Sequence, residues 1–222
     1  MVAGLVACGA LVAGAASDAP APPSAHATVA VAMSVEEMVD ASPAVVVVRA
    51  VERTSVWEEL AGGRRIVTYT KLEVLETAYG DPASLRRPEE AAADDAAPAP
   101  ADKPRPIYLR VRTLGGAVGR IGQQVAGEAA FKIGARSLAF LTRAGDGALV
   151  VTAMAQGQYP IAEPSDARER PRLRLVHTLA TVLPRQGPSI AVQEALRGLE
   201  LDQAVAKIRE VKRQRDAAAP QR

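Results

Sequence analysis

The chain has 222 residues, and Lys+Arg 27 against Asp+Glu 25 leaves a net charge of +2, which excludes a field strong enough to draw the whole protein to nucleic acid or anionic lipid. The length fits one domain with appendages, and a domain of roughly 130 residues buries about two thirds of its unfolded surface, enough for a core without staples. A single cysteine, Cys8, and two histidines, His26 and His177, exclude a zinc site built from His and Cys. No cofactor or metal is expected.

Residues 1–17 are apolar and rich in Gly and Ala, and the Pro-rich DAPAPPSAHA follows. This pattern predicts a signal peptide over residues 1–27 with the A-x-A site at Ala25-His26-Ala27 and the mature chain starting near Thr28. The basic n-region is missing, which points to a start upstream of Met1. Leu5-Val6-Ala7-Cys8 also fits a lipobox, in which Cys8 would be lipidated and the protein anchored to the envelope. Either route makes the protein exported, periplasmic or extracellular, with no transmembrane helix in the mature chain.

Ser34-Val35-Glu36-Glu37 has the form of a capping box and predicts a short helix closed by Pro43, plugging one end of a sheet. The β-branched run Val45–Val51 and the alternating stretch Ile66–Leu75, with Gly62-Gly63 between them, predict a long hairpin with Trp57 near its tip. From about residue 82 to 106 the composition shifts to Pro, Ala, Asp, Glu and Arg, which predicts a disordered insertion. Ile107–Thr113 alternates again, with Ile107, Leu109 and Val111 pointing inward and Tyr108, Arg110 and Arg112 outward. Glycines then punctuate short apolar segments: Val118–Val125, a bend at Gly134, Ser137–Arg143, a turn at Gly145-Asp146-Gly147, Ala148–Met154 and Gln158–Ile161.

This yields a mainly β domain over residues 28–163, a small closed or nearly closed barrel, since closure removes exposed strand edges. Residues 164–222 form a helical, basic appendage. Within it RPRLRLVHTLATVL suits either a strand or a helix, and Leu201–Arg215 carries one apolar stripe of Leu201, Ala204, Val205, Ile208 and Val211. That stripe needs a surface, either its own barrel or a partner.

Several of these stretches resemble a family of uncharacterised secreted bacterial domains. They are the hairpin strand Val67–Thr77 with its E-x-L at Glu73–Leu75, V-R-x-x-G-G at Val111–Gly116, V-x-G-x-x-x-F-x-x-G at Val125–Gly134, L-x-F-L at Leu138–Leu141 and Q-G-x-[FY] at Gln156–Tyr159. The resemblance covers roughly residues 34–161 and extends to GLELDQAVAKIR from Gly198. It implies an OB-like Greek-key barrel similar in fold to the netrin and tissue-inhibitor-of-metalloproteinases modules. Those inhibitors chelate a protease metal through an N-terminal cysteine, and none stands near Thr28.

No catalytic constellation emerges. His177 has no G-x-S-x-G nucleophile to serve, and the acidic pairs Glu58-Glu59, Glu89-Glu90 and Asp94-Asp95 fall on solvated stretches. The glycines of GGAVGRIG lack the Lys-Ser/Thr of a phosphate loop. The few aromatic residues offer at most one nucleic-acid platform, Tyr69, Tyr108 and Tyr159 with Arg110 and Arg112. The expected function is therefore non-enzymatic: a monomeric, exported binding module for a secreted or envelope protein, using Trp57, Tyr108, Arg110, Arg112, Gln156 and Tyr159. Regulation or inhibition of a secreted protease is the alternative.

Overall fold

A computed structural model describes residues 29–96, 105–164, 166, 168–176, 181–185 and 187–218. The expected signal segment with Cys8 and His26, and also His177, lie outside these residues.

The helix α1 (Val35–Asp40) starts as expected. Ser34 Oγ accepts from Glu37 N at 3.2 Å, and Ser34 N donates to Glu37 Oε2 at 2.9 Å. The hairpin that follows is longer than the hydrophobic pattern suggests: β2 (Ala44–Leu60) and β3 (Gly63–Tyr79) pair along their whole length. Gly62 and Gly63, at φ +99° and +104°, make the turn that a side chain would strain. Register shifts at Val45/Val46, Val47/Val48 and Ala50/Glu52 leave Ala78 and Leu75 of β3 and Val51 of β2 without an opposite residue, bulges that bend and twist the ribbon.

The remaining strands are β4 (Tyr108–Leu114), β5 (Gly116–Val118), β6 (Ile121–Gln123), β7 (Arg136–Arg143), β8 (Leu149–Val151), β9 (Gln158–Ala162), β10 (Arg172–Leu173) and, beside β1 (Val29–Val31), β11 (Thr181–Leu183). The main sheet runs β10-β9-β7-β2-β3-β4, antiparallel at every step, with β8 also on β7. It rolls around an inner core of Val46, Val48, Leu72, Leu109, Val111, Phe131, Leu141 and Val151. The fold is thus mainly β with few helices. The roll stops short of the closed barrel: among the described residues no ladder joins β4 to β8 or β10.

The outer face has two halves. One half, with Val45, Val47, Leu138, Phe140 and Tyr159, is covered by α1, by α3 (Val192–Leu196) and by α4 (Leu201–Ala218), whose stripe Leu201, Ala204, Val205, Ile208 and Val211 is buried there. The apolar stripe of α4 therefore lies on its own domain, and α1 packs on this face rather than plugging an end. In the stretch 170–183, which suited either a strand or a helix, the described residues form the short strands β10 and β11. Among the described residues the other half of the outer face is approached only by α2, and it carries the candidate site.

The insertion also departs from expectation. Ala83–Leu85 forms a 3-10 turn with Leu85 buried, and α2 (Pro88–Ala96) is helical, with Pro88 opening it and Glu89 and Glu90 in its first turn. Proline suits a first helical position and carboxylates suit a helix N-terminus, so these residues favour a helix despite their low hydrophobicity. Arg143 anchors the turn by donating to the Leu85 carbonyl at 3.0 Å.

Candidate functional site

Alternation along β3 and β4 places Tyr69, Lys71 and Glu73 on the outer face opposite Arg112, Arg110 and Tyr108. Diagonal neighbours on adjacent strands are within reach of long side chains. Here they form two cation-aromatic contacts, Lys71 Nζ 4.4 Å from the centre of the Tyr108 ring and Arg110 Cζ 4.1 Å from that of Tyr69. Glu52 and Thr54 of β2 and Glu90 of α2 complete the walls of a cleft of about 240 Å³. Arg110 is exposed, and Tyr108 and Tyr69 are half-buried. This is the part of the sequence-predicted site that the fold brings together, with Tyr69, Lys71, Glu52 and Glu90 added to it. Tyr69 was visible as a possible platform residue; Lys71 is reached through the β3–β4 register, while Glu90 arrives through α2, which composition hides.

Arg112 does not belong to the exposed set. It is only 8% exposed, because the rolled sheet brings the β7–β8 turn against β4, where Arg112 Nη1 meets Asp146 Oδ2 at 2.7 Å and Glu58 Oε1 at 3.6 Å. Tyr69 hydroxyl donates to both Glu58 oxygens at 3.1 Å. Burial and the neighbouring Glu58 carboxylate push the Tyr69 phenol up. The hydrogen bond from Arg112 holds the Asp146 carboxyl below its usual range, and although burial alone would lower Arg112, Asp146, Tyr69 and Glu58 together outweigh it and leave the guanidinium more firmly protonated. Arg112 is a clasp between the two ends of the roll.

Gln156 and Tyr159 are likewise inside, at 4% and 0% exposure. Gln156 acts as a strand partner: Oε1 accepts from Met33 N and Nε2 donates to the Val31 carbonyl, both at 3.1 Å. Gln158 does the same to Ala130, accepting from its N–H at 2.7 Å and donating to its carbonyl at 2.9 Å. The Q-G-x-[FY] run is a pair of amide clamps, one on the end of β1 and one on the loop before β7. Tyr159 packs edge-on to Phe140 at 6.3 Å in the core under the helices, where burial pushes its phenol up. Trp57 sits apart from the cleft near the hairpin tip, 37% exposed, with Arg64 Cζ 5.2 Å from its ring.

A second, wider cleft of about 660 Å³ opens at the mouth of the roll, lined by Thr68, Thr70, Thr113, Gln123 and Glu128. Glu128 accepts from Leu114 N at 3.1 Å and Ala129 N at 2.9 Å, and burial pushes its carboxyl up against those two bonds. The basic C-terminal residues make ion pairs, Arg170 with Asp202 at 3.1 Å, Arg172 with Glu200 at 3.2 Å, Arg209 with Glu76 at 3.1 Å, and Arg215 with Asp40, and a cleft of about 680 Å³ that Arg168, Arg170, Arg172 and Arg174 line also holds Glu163, Glu169 and Glu200. Among the described residues no group of three or more His, Cys, Asp or Glu is placed to hold a metal, and no helix is long and apolar enough to cross a membrane. Comparison with protein-family models, with curated proteins and with solved structures gives no match.

Proposed function

We propose that this chain is an exported, non-enzymatic binding module that takes a segment of a secreted or envelope protein on the open half of its outer face. The observation that carries this reading is the cleft of Tyr69, Lys71, Tyr108 and Arg110, two aromatic rings each with a cation beside it at the uncovered end of an otherwise covered sheet. Flat, amphipathic rings with cationic donors beside them suit a polar peptide segment, the kind of surface on which Tyr and Arg dominate binding energy. The rolled antiparallel sheet supports an OB-like Greek-key description of the domain, and fold-level analogy carries no activity with it.

The test is capture from periplasmic and secreted fractions by the mature chain, run beside Tyr108→Ala and Arg110→Ala. A protein retained by the wild type and lost by both variants supports the reading. Retention that ignores both substitutions refutes it.

A second reading, regulation of a secreted protease, draws on the β2–β3 arm, which is hydrogen-bonded out to Leu60↔Gly63 and presents Trp57 on a stiff support. Activity of secreted proteases measured with and without the chain, and with Trp57→Ala, tests it.

A further inference from the structure

The far half of β2 has an open edge. β7 covers β2 only from Ala44 to Arg49, and Gly134 and Ala135 extend that cover through hydrogen bonds to Ala50. Beyond the bulge at Val51 the strand continues to Leu60, paired on its other side with β3.

The direction of the backbone groups there follows from β3. Val74 donates to the Ile107 carbonyl, while Ile66 donates to Gln123 and accepts from Gly115, so the even-numbered residues of β3 turn their backbone groups to the β4 side. The odd-numbered Arg65, Val67, Tyr69 and Lys71 therefore face β2, opposite Glu58, Val56, Thr54 and Glu52. The β2 residues between these, Arg53, Ser55, Trp57 and Glu59, turn N–H and C=O outward, and no backbone hydrogen bond satisfies them among the described residues. Arg53, Val56, Trp57 and Glu59 are exposed. A row of outward donors and acceptors on a strand without bulges from Glu52 to Leu60 is a template for another strand.

We propose that the occupant is a second copy of this chain, with the two β2 strands joined antiparallel about a two-fold axis through Val56. This register sets Arg53 against Glu59 of the other copy and Ser55 against its Trp57, each pair occurring twice by symmetry. Every outward N–H and C=O then meets a partner. The same register opposes Arg to Glu at both ends, Thr54 to Glu58 and Val56 to itself, with no like charges opposite one another. Sliding one way opposes Glu52 to Glu58; sliding the other way carries Arg53 past the end of the strand. Charge and backbone thus select the same alignment. The dimer replaces the monomer expected from sequence, and since the axis is perpendicular to the sheet, both tyrosine clefts lie on one side of the joined sheet.

Sedimentation of the full chain in a Cys8→Ser background, from micromolar to hundreds of micromolar, tests this. The expected result is a mass twice the 23.2 kDa of one chain. Arg53→Glu or Glu59→Arg alone weakens association about tenfold or more, by turning two attractive cross-strand pairs repulsive, and the double reversal restores it. Val56→Cys on the axis forms a disulfide-linked dimer on mild oxidation, whereas Val51→Cys, opposite Ala61 of the other copy, does not. A single-chain mass at every concentration overturns the proposal. So does a dimer that neither charge reversal weakens.

Discussion

Gln158→Leu isolates the worth of one amide clamp. The leucine keeps nearly the same volume at a site only 1% exposed, and removes the hydrogen bonds of 2.7 and 2.9 Å to Ala130 and a longer one of 3.4 Å to Ser137 Oγ. At a net ~0.5–1.5 kcal/mol for each of the two good bonds, the loss is about 1–3 kcal/mol. Ala130 is exposed, so water re-solvates its backbone and the full penalty of a buried unpaired group is not incurred. For a protein of this size each kcal/mol moves Tm by about 2–4 °C, which places the drop at roughly 2–12 °C. Gln158→Glu is the sharper companion: it keeps the acceptor for Ala130 N–H but points a second acceptor, or a charge, at the Ala130 carbonyl, and must cost more than leucine. Urea and thermal unfolding at unchanged m-value read both variants. A Tm within about 1 °C of wild type for Gln158→Leu, or a glutamate variant as stable as the leucine one, would show that the clamp contributes nothing.

Gln156→Leu frees the backbone of Val31 and Met33, and hydrogen exchange at the Met33 amide is expected to speed up about tenfold while the β2–β3 amides keep their protection. Gly157→Ala places a Cβ 2.2 Å from the Thr152 carbonyl oxygen, which forces backbone movement; a loss of roughly 2–4 kcal/mol in denaturant unfolding is expected. Because Arg112 holds the Asp146 carboxyl below its unfolded value of 3.8, this pair contributes stability above that pH and loses it as pH falls through the lower folded value. Arg112→Met therefore lowers stability at neutral pH, and the gap to wild type closes on acidification, as paired urea titrations across pH will show. Glu128 runs the other way, since burial raises it above 4.5 and its contribution improves as pH falls through that raised value; Glu128→Gln removes this slope from the same titration.

Local signals in the chain carried the hairpin, its Gly62-Gly63 turn and the Ser34 capping box, because each depends on residues a few positions apart. Alternation along β4 also placed Leu109 and Val111 correctly in the core. It failed for Arg112, whose face is outward but covered by a turn more than thirty residues later, a consequence of how far the sheet rolls. Gln156 and Tyr159 looked like surface residues because they are polar; what buries them is a loop, the first strand and three helices, none of which is local to them. Composition misjudged residues 83–96 for the opposite reason, since Pro88, Glu89 and Glu90 are helix-starting residues in a stretch too polar to look structured. The cleft was half legible, Tyr108 and Arg110 from their own strand, Lys71 and Glu90 only once strands and helix were assembled.

The cover supplied by α4 has a consequence in time. The row Val45, Val47 and Ala78 is complete once the β2–β3 ribbon exists, yet its partners Ala204, Val205, Ile208 and Val211 lie more than a hundred residues further along the chain. At ordinary elongation rates of ~5–20 residues per second the growing chain carries that uncovered strip for on the order of ten seconds. Native structure on this face is thus reached only once α4 has been made. In the interval this part of the ribbon has, of its helical cover, only what α1 provides.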